Sequence, residues 1–186
     1  MSEALLSYQS PGRVNLIGDH TDYTGGLVLP MAIDRYTTIR GTRTTASVHL
    51  RSQNEPEPVE FALPISAPDK VTPSWGRYVA GVAAEMQNRA QGFDGEISCT
   101  IPIGAGLSSS AALEVAAALA LGDTSTPVEC AKLCQRAEFR SVGVPCGIMD
   151  QLTVTSGIRD HALLIDCHAL TISLVQLPND VEVVVQ

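Results

Sequence analysis

The stretch "PIGAGLSSSAAL", residues 102–113, constrains the fold more than any other part of the sequence. It follows an extended run and precedes an alanine-rich run, which predicts a strand, a glycine turn and a helix in that order. Gly104 and Gly106 permit positive φ and let backbone amides approach a ligand closely. The following helix start presents unpaired N–H groups and the positive end of its dipole. A phosphate-binding turn is therefore favoured, with an ordinary serine-capped helix as the alternative. The lysine of a Walker A loop is absent from it.

The bulk composition narrows the class of protein. The chain has 186 residues, of which 45% are hydrophobic and 17% charged, which is typical of a globular domain or of part of a larger fold. A net charge of −8 disfavours nucleic-acid binding through a basic surface. The N-terminal residues do not resemble a secretory signal, and no apolar run is long enough for a membrane helix. The five cysteines form no CxxC pair, so reduced thiols in the cytoplasm are expected.

Strand signals dominate the first half of the chain, and helices mixed with strands follow, so the pattern predicts an α+β layout. One helix is predicted from Trp75 towards Ala90 with Ser74 as its cap, and another from Pro127 to Val142 behind the capping box Thr126–Glu129. A third helix is expected over residues 109–121. Strands are predicted over residues 13–17, 59–63, 95–103, 161–167, 171–177 and 181–186, with a hairpin over residues 36–52.

Two acids occupy positions that the helix and turn patterns mark as unusual. Glu138 shares the apolar face of its helix with Ala131 and Cys134, so it needs a partner, either a magnesium ion or an arginine. Asp150 follows an irregular glycine- and proline-containing segment and has apolar neighbours. It is a candidate proton acceptor, with helix capping as the alternative.

A third polar cluster lies near the N-terminus, in "IGDHTDYTGG", residues 17–26. Asp19, His20 and Asp22 stand within four residues, next to turn-forming residues. The cluster is either a solvated loop or a pocket for a ligand that carries many hydroxyl groups.

Three segments, in order, resemble the galactokinases, a group within the GHMP family of small-molecule kinases. They are "PGRVNLIGDHTDYTGG" (residues 11–26), "PIGAGLSSSAALEV" (residues 102–115) and "AEFRSVGVPCGIMDQ" (residues 137–151). The second segment alone would indicate only the GHMP family, whereas the first is similar to the sugar motif of galactokinases. The resemblance implies an α+β fold, a two-layer mixed sheet with helices on one face, similar to domain 2 of ribosomal protein S5.

The resemblance also implies an activity, the ATP-dependent phosphorylation of galactose at its C1 hydroxyl, with Mg²⁺ as the metal. Asp150 would act as base or hydroxyl orienter beside Arg13, and Ser110 and Glu138 would ligate the magnesium. Ser52 and Trp75 lie in segments that form the purine pocket of the family. The implied sugar contacts are Asp19, His20, Thr21, Asp22 and Gly147, and the implied ATP phosphate contacts are Gly104, Ala105, Gly106, Leu107, Ser108, Ser109 and Ser110.

Two departures from the family pattern bear on these expectations. Asp19 stands where galactokinases usually have glutamate, so the acid is one methylene shorter. Family members are about twice as long, so residues 1–186 are expected to form the N-terminal domain, with the C-terminal half as a missing structural partner. Alternatives are a kinase for N-acetylgalactosamine or arabinose, a galactose sensor, and an inactive fragment. Because sensors lose the serine–alanine pair of the phosphate motif, the intact Ser110–Ala111 pair argues for catalysis.

Overall fold

The computed structural model describes residues 4–143, 145–178 and 180–185. One mixed sheet carries four helices, in the element order β1–β5, α1, β6, α2, α3, α4, β7, β8. The strands are β1 (Leu6–Asn15), β2 (Leu27–Val28), β3 (Pro30–Thr44), β4 (Ser47–Ser52), β5 (Val59–Ala62), β6 (Gly92–Cys99), β7 (His161–Asp166) and β8 (Thr171–Gln176). The helices are α1 (Gly76–Met86), α2 (Ser109–Ala120), α3 (Pro127–Val142) and α4 (Met149–Ser156).

The sheet is organised around β3, which is 15 residues long. β1 pairs with β3 along almost its whole length, and β6 pairs with the second half of β3. From β3 the hydrogen-bonded order continues through β6 to β4 and β5, and β3 also pairs with β7, which in turn pairs with β2 and β8. β4 and β6 run parallel, whereas the other pairs are antiparallel. The predicted α+β class, with a mixed sheet, is confirmed.

The predicted hairpin over residues 36–52 is wrong. β3 and β4 are separate strands joined by a short connection, but β6 lies between them and pairs with both. The local alternation that suggested a hairpin was real, since both segments are extended. The pairing partner, however, is a strand that begins 40 residues after β4 ends (52 to 92), and local sequence carries no signal for it.

The four helices pack together and against the sheet. Buried residues of α1, α2 and α3 form a single apolar cluster with the inner faces of β3, β4 and β6. The alanines of α2, at positions 111, 112, 116, 117, 118 and 120, are almost fully buried, so this helix lies close to its neighbours. Helix α2 packs against β1 and β3 and also contacts the other three helices.

Helix ends follow the local signals in some places and not in others. Helix α3 runs from Pro127 to Val142 as predicted, with the Thr126 hydroxyl accepting from the Glu129 amide. Helix α1 ends at Met86, before a short 3-10 turn, and Ser74 makes no capping bond. The predicted strand over residues 181–186 is not formed: residues 181–185 belong to no strand, and Gln186 lies outside the described residues. The valines there are exposed, because no neighbouring strand offers them a partner.

The sequence predicted reduced cysteines and no apolar run long enough for a membrane helix. All five cysteines are unpaired, as expected. Over the residues that the structure describes, every helix is too short or too polar to cross a bilayer.

A second apolar cluster supports α4. It joins Leu152 and Met149 of that helix to Leu163 and Ile165 of β7 and to Val28 of β2. The cluster therefore helps to hold α4 against β7 and β2.

Shortening a buried side chain of this cluster is predicted to destabilise the fold. Leu152→Ala should lower the free energy of unfolding by about 2–5 kcal/mol, because the side chain is fully buried and its removal leaves a cavity. Ile158→Ala, at a half-exposed position just beyond the helix, is the control and should change it by less than about 0.5 kcal/mol. Urea denaturation of both variants measures the difference, and equal effects would contradict the proposed support.

Candidate active site

Arg13 of β1 and Asp150 of α4 form the centre of the candidate site. The guanidinium Nε donates to Asp150 Oδ1 at 2.7 Å and Nη2 donates to Oδ2 at 2.8 Å, which is a two-pronged ion pair. The Arg13 side chain is 13% exposed and that of Asp150 is 30% exposed, so the pair is packed but reachable from solvent. Asp150 is the second residue of α4 and makes no capping bond, which removes the capping alternative.

The glycine-rich turn is joined to this pair. Arg13 donates from Nη1 to the Gly106 carbonyl at 2.6 Å and from its backbone amide to the Leu107 carbonyl at 3.1 Å. The Ser108 hydroxyl donates to Asp150 Oδ2. The turn, the first strand and α4 are therefore held together by direct hydrogen bonds.

The turn has the backbone that its glycines suggested. Gly104 and Gly106 adopt φ of +77° and +69°, and both positions are open to solvent. Ser108, before the first residue of α2, is also left-handed, and its hydroxyl bonds Asp150 instead of capping the helix. An ordinary serine cap is thus excluded at this position, and the start of α2 faces an open loop.

The N-terminal polar loop lies beside the same end of the sheet. Asn15, two residues after Arg13 on β1, donates to Asp19 Oδ1 at 2.5 Å. Asp19 and His20 are exposed. The Thr21 hydroxyl lies 2.8 Å from the carbonyl oxygens of both Gly18 and Leu27, so its hydrogen is used in closing the loop.

Asp22 and Gly147 are in direct contact, although 125 positions separate them in the sequence (22 to 147). A Cβ atom placed on Gly147 would lie 1.6 Å from Asp22 Oδ2. Only glycine therefore leaves room for this carboxylate against the segment that leads to Asp150.

Glu138 has different partners from those that the sequence suggested. Its Oε2 accepts from the Gln151 amide at 2.8 Å and from the Cys146 thiol at 3.2 Å. Across the described residues, no lysine or arginine pairs with it, so the ion-pair alternative fails. Burial and the nearby Glu138 carboxylate raise the pKa of the Cys146 thiol to about 12, so this cysteine stays protonated at neutral pH.

A cavity of about 240 Å³ lies next to the start of α2. Ser52, Trp75 and Tyr78 line it together with Ser109 and Ser110, so the residues expected to contact purine and phosphate share one cavity. Burial raises the pKa of Tyr78, and the charges of Glu138 and Glu114 raise it further. A larger cavity, about 490 Å³, lies on the outer side of α3 around Phe139 and does not include these residues.

Three polar residues at the site were missed by sequence reasoning. Asn15 orients Asp19, Gln151 contacts Glu138, and Glu114 of α2 is fully buried behind Gln151. A signal for Glu114 was present, since it is the single acid in an otherwise alanine-rich helix. Burial, and secondarily the charge of Glu138, raise its pKa well above the usual value.

The side chains present fit a magnesium ion that is held mainly by phosphate oxygens and waters, with few protein ligands. Within residues 4–143, 145–178 and 180–185, no three His, Cys, Asp or Glu side chains cluster for a metal. Magnesium in nucleotide sites, however, takes only one or two carboxylates beside phosphate oxygens and waters. Glu138, with both of its contacts on Oε2, is compatible with that role.

Comparisons with known proteins agree with this architecture. Residues 2–43 match the galactokinase galactose-binding signature, and residues 77–157 match the GHMP kinases N terminal domain. Galactokinase from Bos taurus is 46% identical and that from Homo sapiens 43% identical, each over 96% of this chain and 48% of the relative. A solved Lactococcus lactis galactokinase complexed with galactose superposes with a TM-score of 0.84 at 33% identity, covering 92% of this chain and 47% of that one. Mevalonate kinase from Methanococcus jannaschii, 22% identical over 96% of this chain and 57% of that one, superposes with a TM-score of 0.71 and shares the fold.

A mixed sheet with α2 behind a glycine-rich turn defines the class of this protein. The chain has the fold of the N-terminal domain of the GHMP kinases, and its residues 77–157 match the model of that domain. Within that class it is similar to the galactokinases, whose galactose-binding signature matches its first strands. It spans about half the length of the curated relatives that it matches.

The buried Glu114 leads to a prediction about pH. In the unfolded chain this carboxyl loses its proton above about pH 4.5, whereas the folded protein retains it to higher pH. The free energy of unfolding should therefore fall as pH rises from 4.5 towards the raised pKa, by at most about 1.4 kcal/mol per pH unit. Glu114→Gln cannot titrate and should lack this decline.

Urea unfolding at pH 5, 6, 7 and 8 measures the difference. We expect the variant to gain stability relative to the parent as pH rises. A constant difference across that range would show that Glu114 has an ordinary pKa.

Proposed function

We propose that this chain is the substrate- and phosphate-binding half of a galactokinase, which transfers the γ-phosphoryl group of ATP to the C1 hydroxyl of galactose. The observation that carries the proposal is the joining of Arg13, Asp150 and the glycine-rich turn in one hydrogen-bonded unit. A sugar motif, a phosphate motif and an acid thereby converge on one place, which is what direct transfer between two bound substrates requires.

The number of hydrogen bonds that the Asp150 carboxylate can accept supports its proposed role in orienting a substrate hydroxyl. A carboxylate has about four positions that accept hydrogen bonds, and Arg13 Nε, Arg13 Nη2 and the Ser108 hydroxyl take three of them. One position is left for a substrate hydroxyl, and the exposed fraction of the side chain allows a sugar to reach it. Asp150 accepts the C1 hydroxyl hydrogen and directs the oxygen lone pair.

In the proposed transfer step one bond to the γ-phosphorus forms and another breaks. The C1 oxygen forms a bond to the γ-phosphorus, the bond from that phosphorus to the bridging oxygen breaks, and ADP leaves. The hydroxyl proton goes to Asp150. The Arg13 guanidinium offsets negative charge near the transferring group, and the amides at residues 104–110 with the start of α2 hold the phosphates.

Nucleotide and metal contacts are proposed for the residues around the 240 Å³ cavity. Kinases of this family use ATP as co-substrate, and we propose that Ser52 and Trp75 contact its purine. Ser110 and Glu138 would hold magnesium, which when bound neutralises phosphate charge. The glycine-rich turn, comprising Gly104, Ala105, Gly106, Leu107, Ser108 and Ser109, surrounds the phosphates.

Sugar contacts are proposed for three side chains of the N-terminal loop. Asp19 and His20 are exposed and Asp22 is half-buried, whereas the Thr21 hydroxyl closes the loop and is proposed to act through loop shape. Charged acceptors discriminate among sugars, because an inverted hydroxyl leaves a carboxylate without its donor. Kinases for N-acetylgalactosamine or arabinose are the alternatives, and turnover on a sugar panel separates them.

The activity is tested on the chain alone and on the chain joined to the C-terminal half of a galactokinase. Formation of galactose 1-phosphate from ATP and galactose by either form supports the proposal. Turnover only in the joined form would show that the second half completes the site. Failure of both forms would refute the proposed function.

Asp150→Asn is predicted to abolish transfer in the form that turns over. The amide cannot accept the hydroxyl proton, and it loses charge-assisted bonding with Arg13, so kcat should fall at least about 100-fold. Galactose affinity, measured by calorimetry, should remain within about threefold. Unimpaired kcat would remove Asp150 from the mechanism.

Gly147→Ala is predicted to weaken galactose binding selectively. The added methyl group would overlap Asp22 and force its carboxylate away, so the galactose Kd should rise about tenfold or more while affinity for an ATP analogue stays unchanged. In an Asp22→Ala background the same substitution should have no further effect on the galactose Kd. A full additional loss there would show that Gly147 acts independently of Asp22.

A further inference from the structure

Gln151 occupies an unusual place in the core. It follows Asp150 on α4, its side chain is fully buried, and its amide nitrogen donates to Glu138 Oε2 at 2.8 Å. The same nitrogen also lies 3.4 Å from Glu114 Oε2. One amide group therefore stands between two carboxyl groups on two different helices.

The arrangement is costly for stability. Glu114 Oε1 and Gln151 Oε1 are buried without a hydrogen-bond partner among the described residues. Each unpartnered buried oxygen lowers the stability of the fold, because it loses its hydrogen bond to water, and apolar side chains of similar volume would avoid that cost. Packing alone does not account for this polar pair beside a core of apolar side chains.

The contacts on Glu138 are one-sided. Both donors, the Gln151 amide and the Cys146 thiol, bond to Oε2. Oε1 accepts no hydrogen bond within the described part of the chain, and Glu138 is only partly buried. An acid held through one oxygen presents the other in a fixed direction.

The network also connects the helices that carry the proposed chemistry. Helix α2 begins at the phosphate turn, α3 carries Glu138 and α4 carries Asp150, and all three pack against one another. The contacts from Glu114 through Gln151 to Glu138 form a polar link among these three helices.

We propose that Gln151 and Glu114 are positioning residues. Gln151 holds Glu138 so that Glu138 Oε1 faces the magnesium of the bound nucleotide, and Glu114 orients the Gln151 amide from the side of α2. The proposal rests on the proposed function, since it needs a magnesium–nucleotide complex at this site. Groups that orient a metal ligand typically contribute 10–100-fold to metal affinity.

Gln151→Met keeps the length of the side chain and removes its donor. The experiment measures the Kd of β,γ-imido-ATP with Mg²⁺ and with EDTA, by calorimetry, in whichever form of the protein binds the analogue. We expect the Kd with Mg²⁺ to rise about tenfold or more, and the Kd in EDTA and the Kd for galactose to stay within about threefold. Glu114→Gln, which keeps an acceptor for the Gln151 amide, should leave all three values unchanged, whereas Glu114→Leu should weaken only the Mg²⁺-dependent binding.

Two controls separate positioning from general damage to the core. Thr153→Val removes a different buried hydroxyl of α4, one that donates to the Met149 carbonyl, and should leave the Kd with Mg²⁺ unchanged. In a Glu138→Ala background, Gln151→Met should have no further effect, because its action passes through Glu138.

The outcomes are distinct. If Gln151→Met leaves the Mg²⁺-dependent Kd unchanged, weakens all three affinities alike, or acts fully in the Glu138→Ala background, the positioning role is refuted while the kinase function stands. If neither form of the parent protein binds the analogue with Mg²⁺, the proposed function fails and this inference fails with it.

Discussion

The Arg13 side chain is the contact on which the arrangement of the site depends. Its three nitrogens reach both oxygens of Asp150 and the Gly106 carbonyl, while its backbone amide bonds the Leu107 carbonyl. One residue of β1 thereby fixes α4 and the glycine-rich turn relative to the sheet. A guanidinium suits this task because it is planar, always charged and offers several donors in a rigid geometry.

Further hydrogen bonds join the helices around the Arg13–Asp150 pair. Ser108 ties the start of α2 to Asp150, and Gln151 ties the next residue of α4 to Glu138 on α3. The small, buried side chains of α2 let this helix pack closely against its neighbours. A tightly packed apolar core thus holds the polar groups in fixed directions.

Local patterns predicted the elements better than their pairing. The capping box and Gly143 set both ends of α3, because the relevant bonds form within a few residues. The hairpin over residues 36–52 failed because β6 enters between β3 and β4. A valine-rich segment at residues 181–185 likewise has strand composition but no strand, since a strand needs a neighbour as well as a pattern.

By itself, the sequence determined most of the elements, the glycine-rich turn and the acids worth attention, because glycine conformations, caps and residue chemistry are local properties. Only the tertiary structure decided how those groups are used. It brought Arg13 against Asp150 across 137 positions, packed Asp22 onto Gly147, and gave Glu138 an amide and a thiol instead of an arginine. Contacts between distant segments depend on how whole elements pack, and no short stretch of sequence contains that information.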